Sequence, residues 1–164
     1  MTFRELILAT GALLGLEEFQ PDEEGFCTLE SEEGAITIAY IPEAYEMILI
    51  RAVVGEVPAE ASGTVLHRAL EANSGLRETD EATLSVNPDT GCFELARFLP
   101  LEGQEPKALL EVIEGFAATL VEVRGRLLEG GEAEPSEPGQ SEEAAPASPP
   151  EDFRDLDARG FLRV

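Results

Sequence analysis

Apolar positions recur along this chain with two periods, and the switches between them outline its elements. The least ambiguous stretch is Thr83 to Leu101. Leu84 and Val86 alternate with polar residues on the way into a turn, and Phe93 and Leu95 alternate on the way out. Between them Pro88 fits the second position of a type I turn, Asn87 and Asp89 supply side-chain caps, and Gly91 suits the left-handed residue that closes a bulged hairpin. Two antiparallel strands are expected, each with one apolar face.

The first segment, residues 3 to 16, follows the helical period instead. Phe3, Leu6, Ile7, Thr10, Leu13 and Leu14 share a side, and Thr2 with Glu5 forms the pattern of a capping box. Leu8, Leu16 and the small residues Ala9, Ala12 and Gly15 widen the apolar surface, which implies a helix contacted on more than one side. The run is too short to span a bilayer. Arg4 cancelled by Glu5, and the lack of a small-x-small site before Glu17, argue against an export signal. After an acidic loop come three strand-like runs, Phe26 to Ser31, Ala35 to Ile41 and Met47 to Val57, with turn residues at Glu33-Gly34 and Pro42-Glu43. Their lengths and connections predict an antiparallel meander. In the first run Cys27 and Leu29 alternate with Thr28 and Glu30, as on a half-solvated edge. The third is apolar on both sides: Met47, Leu49 and Val53 on one, Ile48, Ile50, Ala52 and Val54 on the other. Either the protein's own helices cover both faces or a partner covers one.

Residues 62 to 75 read as a helix capped by Ser62 and stopped by Asn73 or Gly75, with Val65, Leu66, Ala69 and Leu70 as its stripe. His67, the one histidine, falls off that stripe and reads as a surface residue. Pro106 to Leu128 makes a long final helix with a broad apolar stripe that includes Leu109, Ile113, Phe116, Leu120 and Val123. Three segments result. Residues 1–129 form an α+β domain, an antiparallel twisted sheet with the order α-β-β-β-α-β-β-α. Residues 130–152, rich in Pro, Glu, Ser and Ala and free of large apolar side chains, form a disordered acidic linker. Residues 153–164 are a short tip with Phe153, Leu156, Phe161 and Leu162 among charges, which either stays unstructured or docks on the body or on a neighbouring copy.

Charge narrows the function. With 34 acidic against 11 basic residues and a net charge of -23, the chain is a poor match for nucleic acid or an anionic membrane. Two cysteines, Cys27 and Cys92, sit in strand patterns and read as lone buried thiols of a reducing compartment. No phosphate loop, nucleophile elbow or metal-spaced His/Cys set occurs, and the acidic pairs Glu17-Glu18 and Glu32-Glu33 carry no specificity in so acidic a chain. No catalysis, cofactor or metal is expected.

The segment Leu66 to Leu101 carries a resemblance. Its helix ends in Leu70-Glu71-Ala72-Asn73, its turn is Pro88-Asp89-Thr90-Gly91, and its strand leaves through Leu99-Pro100-Leu101. In this order, within the order of elements over Thr2 to Glu129, they resemble the class I type III secretion chaperones, or Tir-chaperone family. The tail falls outside the resemblance, and the aromatic of the last helix is represented only by Phe116. The resemblance implies a homodimeric, ATP-independent, cytoplasmic bacterial chaperone. It would hold the unfolded N-terminal segment of a secreted effector in extended form until components of the secretion apparatus take it. It also implies client contacts on the first helix and the meander, assigned to Leu13, Leu16, Phe26, Leu29, Ile38 and Leu49. The dimer interface is assigned to Val65, Leu66, Ala69, Leu70, Phe93 and Leu95. The alternatives are a non-enzymatic regulatory or protein-binding module of the same topology, and a small acyl- or metabolite-binding enzyme, which would need a deep polar pocket.

Overall fold

Strand alternation sorts the side chains onto two faces of one sheet, and among the described residues the helices cover one of them. A computed structural model describes residues 1–128 apart from 17, 32, 33, 43–45, 60, 61 and 77, and the backbone alone of Ser31 and Ser62. The expected linker and tip lie outside the described residues, as do the turn residues Glu33 and Glu43 and the capping side chain of Ser62. The elements are α1 (Phe3–Leu14), β1 (Phe26–Ser31), β2 (Gly34–Ile41), β3 (Met47–Glu56), α2 (Ser62–Ala72), β4 (Thr83–Val86), β5 (Cys92–Pro100) and α3 (Pro106–Leu128), with a single 3-10 turn at Ser74–Leu76. The α+β order is the one expected from the sequence.

The five strands run antiparallel in the order β1-β2-β3-β5-β4. The hairpin of β4 and β5 therefore joins the meander through β5 alongside β3. This makes β3 a central strand, paired along both edges, which accounts for its length; its second apolar side lies on the sheet face that the helices leave uncovered. On its inner side Ile48, Ile50, Ala52 and Val54 are buried with Ile36 and Ile38 of β2 and Leu95 and Leu99 of β5. α1 and α3 pack over them and against each other, and α2 closes the far end against β4 and α3. α3 contributes Leu109, Ile113, Phe116, Leu120, Val123 and Leu127 to this core. Arg124 fastens α3 to the sheet, its Nε donating to the Val54 carbonyl at 2.9 Å and its Nη2 to that of Val53 at 3.2 Å. The two carbonyls stand at the bulge between Val53 and Gly55.

α1 starts in a complete capping box: the Thr2 hydroxyl accepts from Glu5 N–H, and the Glu5 carboxylate accepts from Thr2 N–H at 2.8 Å. It stops at Gly15 in a Schellman arrangement, with Gly15 N–H donating to Ala12 and Leu16 N–H to Gly11. The chain then folds back so tightly that a Cβ on Gly11 would stand 2.7 Å from Phe19 Cβ. Phe19, buried by this return, fixes where β1 begins relative to α1. In the β4–β5 turn the Asn87 side chain accepts from the N–H groups of Asp89 and Thr90, and Gly91 takes φ 70°, the left-handed residue the pattern called for.

Candidate functional site

The face of α1 that does not enter the core is still apolar. Phe3, Leu6, Ile7 and Thr10 point inward. Leu8, Leu13 and Leu16 stay exposed, Leu13 at 56%, and Leu8, Ala12, Gly15 and Leu16 line a shallow groove along the outside of the helix. This groove continues into a cleft between the end of α1 and β1, lined by Leu16, Glu18, Phe19, Thr28, Leu29 and Glu30. Leu29 lies on the inner face of β1 and packs only partly against the core.

β1 is a sheet edge, and the hydrogen bonds around it identify which of its backbone groups are unused. Tyr40 N–H donates to the Gly25 carbonyl, so Gly25 and Tyr40 form a hydrogen-bonded pair. By the alternation of an antiparallel ladder, Cys27 and Leu29 also bond inward to β2, while Phe26, Thr28 and Glu30 direct N–H and C=O outward. At Phe26 both outward groups are satisfied by Asp22: its carboxylate accepts from Phe26 N–H at 2.8 Å and its own N–H donates to the Phe26 carbonyl at 2.8 Å. Thr28 and Glu30 have no such cover among the described residues. The opposite edge is more fully closed. On β4 the outward groups belong to Leu84 and Val86, and the Asn73 side-chain amide pairs with both groups of Leu84 at 2.8 Å. The open template is therefore on β1, beside the bare groove of α1.

The uncovered sheet face is apolar along its centre. Phe26, Ala39, Leu49 and Phe98 stand opposite one another across β1, β2, β3 and β5, and Ile41, Met47 and Pro100 form the next row. Phe98 is 53% exposed and Phe26 36%.

Of the residues assigned to client contacts, Leu13, Leu16 and Phe26 are exposed and Leu29 and Leu49 half-buried. Leu16 and Leu29 line the groove and cleft of α1 and β1, Leu13 is exposed on α1 outside that lining, and Phe26 and Leu49 belong to the uncovered sheet face. Ile38 is a correction: at 0% exposure it is sealed on the inner face, because it shares the alternation of Ile36. The dimer assignment divides likewise. Leu66 and Leu70 project outward from α2, Leu70 at 70% exposure, while Val65 and Ala69 are buried against the core. Phe93 and Leu95, at 1% and 0%, are core residues of β5 facing the helices and have no surface to give to a second copy. Leu8 and Phe98 were missed. The spacing of Leu8 from Ala12 and Leu16 could have identified the first, and the period-2 pairing of Phe98 with Leu49 depends on a strand order that local patterns do not contain.

Burial, with the nearby Asp22 carboxylate, pushes the Cys27 thiol up to about 11, so it stays protonated. His67 is exposed and lies 3.4 Å from Glu71 on α2. Among the described residues no cluster of His, Cys, Asp or Glu could hold a metal ion, and no helix is long and apolar enough to cross a membrane.

Comparison with known proteins agrees with this geometry. No curated protein matches the sequence. The fold is similar to a chain in the crystal structure of the Yersinia pestis type III secretion chaperone SycH in complex with a stable fragment of YscM2, at 18% identity and TM-score 0.58, over 74% of this chain and 99% of that one. It is similar to a chain of the HopA1–SchA chaperone–effector complex at 17% identity and TM-score 0.59, over 77% and 93%. A chain of the ExsC–ExsE complex matches at 21% identity and TM-score 0.56, over 74% and 86%. The model of the Tir chaperone protein (CesT) family matches residues 5–124, most of the length of the chain. The helix-and-meander body with its open β1 edge thus belongs to the Tir chaperone protein (CesT) family.

Proposed function

We propose that this chain is a type III secretion chaperone that holds the N-terminal region of an effector extended along β1 and the outer groove of α1. The observation that carries the reading is the juxtaposition at this edge: Thr28 and Glu30, with their outward backbone groups, line the same cleft as the exposed side chain of Leu16, which also lines the groove of α1. An extended segment satisfies its own backbone there by strand addition and buries alternate side chains in the cleft. Each 100 Å² of apolar surface so covered stabilises the complex by about 2.5 kcal/mol before the cost of ordering the segment. Nothing in this scheme hydrolyses ATP or makes a covalent bond. The chaperone keeps its client unfolded as long as burial on its surface exceeds what the client gains by collapsing. The relatives described as chaperone–effector complexes support the reading, and family membership supports a bacterial cytoplasmic setting and the absence of catalysis. The same reading includes a homodimer, formed through the outer side of α2 at Leu66 and Leu70, from which the secretion apparatus collects the client.

The test is titration of the full chain with the N-terminal region of an effector from the same genome. Leu8→Glu with Leu16→Glu, both in the lining of the α1 groove, is expected to weaken binding by about tenfold or more, with thermal unfolding little changed because both side chains are exposed and outside the core. An unaltered affinity in that double variant would contradict the assignment.

A further inference from the structure

The cleft beside β1 also constrains the chemistry of its occupant, on the assumption that an extended segment is held there. Between Met1 and Ser31 the one basic side chain is Arg4, against acids at Glu5, Glu17, Glu18, Asp22, Glu23, Glu24 and Glu30. Arg4 is already engaged, its Nη2 donating to the Pro21 carbonyl at 3.2 Å. Glu18 and Glu30 both line the cleft and are exposed, and neither is in an ion pair among the described residues. The backbone geometry then fixes what faces what. Asp22 occupies the outward groups of Phe26, so an added strand registers on Thr28 and Glu30. A client residue opposite Leu29 points to the helix side, between Leu29 and Leu16. Its two neighbours point to the other side, next to Thr28 and Glu30.

We propose that the segment this edge accepts is basic and amphipathic: an aliphatic residue opposite Leu29, with Lys or Arg on each side of it in the sequence. Glu30 faces one of these cations across the strands, and Glu18 at the rim of the cleft attracts the approaching chain. An acidic segment of the same apolar pattern meets like charge at Glu30 across the strands and at Glu18 on approach, and is refused. The edge thereby discriminates among extended chains that strand addition alone would accept equally.

Three peptides titrated against the full chain test this at low and high salt. One has the Lys-aliphatic-Lys pattern, one replaces each Lys by Glu, and one keeps Lys but replaces the aliphatic residue by Ser. The first is expected to bind about tenfold more tightly than either of the others at low salt, its advantage over the Glu peptide shrinking as salt screens the pairs. Glu18→Gln with Glu30→Gln should remove most of the preference for Lys while changing the net charge of the body little. Equal binding of the Lys and Glu peptides, or an undiminished preference in the Gln variant, overturns the charge rule and leaves the chaperone reading standing. Failure of every peptide to bind overturns the assignment of the β1 edge itself.

Discussion

Asn73 does more than end a helix. Its side-chain amide donates to the Leu84 carbonyl and accepts from Leu84 N–H, both at 2.8 Å, so one residue imitates a neighbouring strand and closes the β4 edge. Asn73→Ala leaves both groups of Leu84 without a partner and should lower the unfolding free energy by about 1–3 kcal/mol, read as a lower urea midpoint. No change in midpoint would mean that water replaces the amide without loss. Asp22 guards Phe26 in the same manner on β1, which leaves Thr28 and Glu30 as the usable positions. Cys27 and Cys92 differ more than their shared strand patterns suggest. Cys27 is buried and Cys92, at the start of β5, only partly so. Burial and the Asp22 charge raise the Cys27 thiol from 9.0 to about 11. A raised thiol favours the protonated folded state, so its contribution to stability is complete below the unfolded value of 9.0 and is lost as pH rises through about 11. Alkylation near neutral pH should therefore modify Cys92 well before Cys27 in the folded protein, and equal rates would contradict the burial.

At the scale of elements, both the helix α2 and the strand β3 carry apolar residues on two sides, and in each the inner side is the core. The sequence stripe Val65, Leu66, Ala69 and Leu70 spans the boundary between sides, since a helix advances about 100° per residue. Val65 and Ala69 went inward and Leu66 and Leu70 outward. If the proposed homodimer forms through α2, Leu66→Glu together with Leu70→Glu should convert it to a monomer in light scattering, with the unfolding temperature of the monomer unit little altered. A mass unaffected by the double substitution would place the two-fold contact elsewhere. Much of this was legible beforehand: the capping box, the Asn87–Gly91 turn, the element order and the long apolar face of α3 all follow from local chemistry. The exposed end of α1 and the half-buried Leu29 were legible too, because an apolar surface wider than one helix can bury within a small domain is visible as composition. The inward turn of Ile38, Phe93 and Leu95 was not, since period 2 says which residues share a side and leaves open which side the helices cover. Nor could local pattern show that β5 lies beside β3, so the row from Phe26 through Leu49 to Phe98 had no sequence signal.

For the molecule as a whole, the distribution of closure matters more than any single contact. One sheet edge is partly closed by Asn73 at Leu84, one face is buried under α1 and α3, and the other edge opens next to the bare groove of α1, within a chain of net charge -23. High net charge keeps a protein with exposed leucines dispersed, and it draws basic segments toward the surface that can hold them. Residue-resolved amide exchange of the full chain, free and with a bound effector segment, tests strand addition at β1 most directly. The outward N–H groups of Thr28 and Glu30 should exchange freely alone and gain strong protection in the complex, while those of Cys27 and Leu29, already bonded to β2, change little. A saturated complex in which Thr28 and Glu30 exchange as fast as in the free chain would show that the client is held somewhere else.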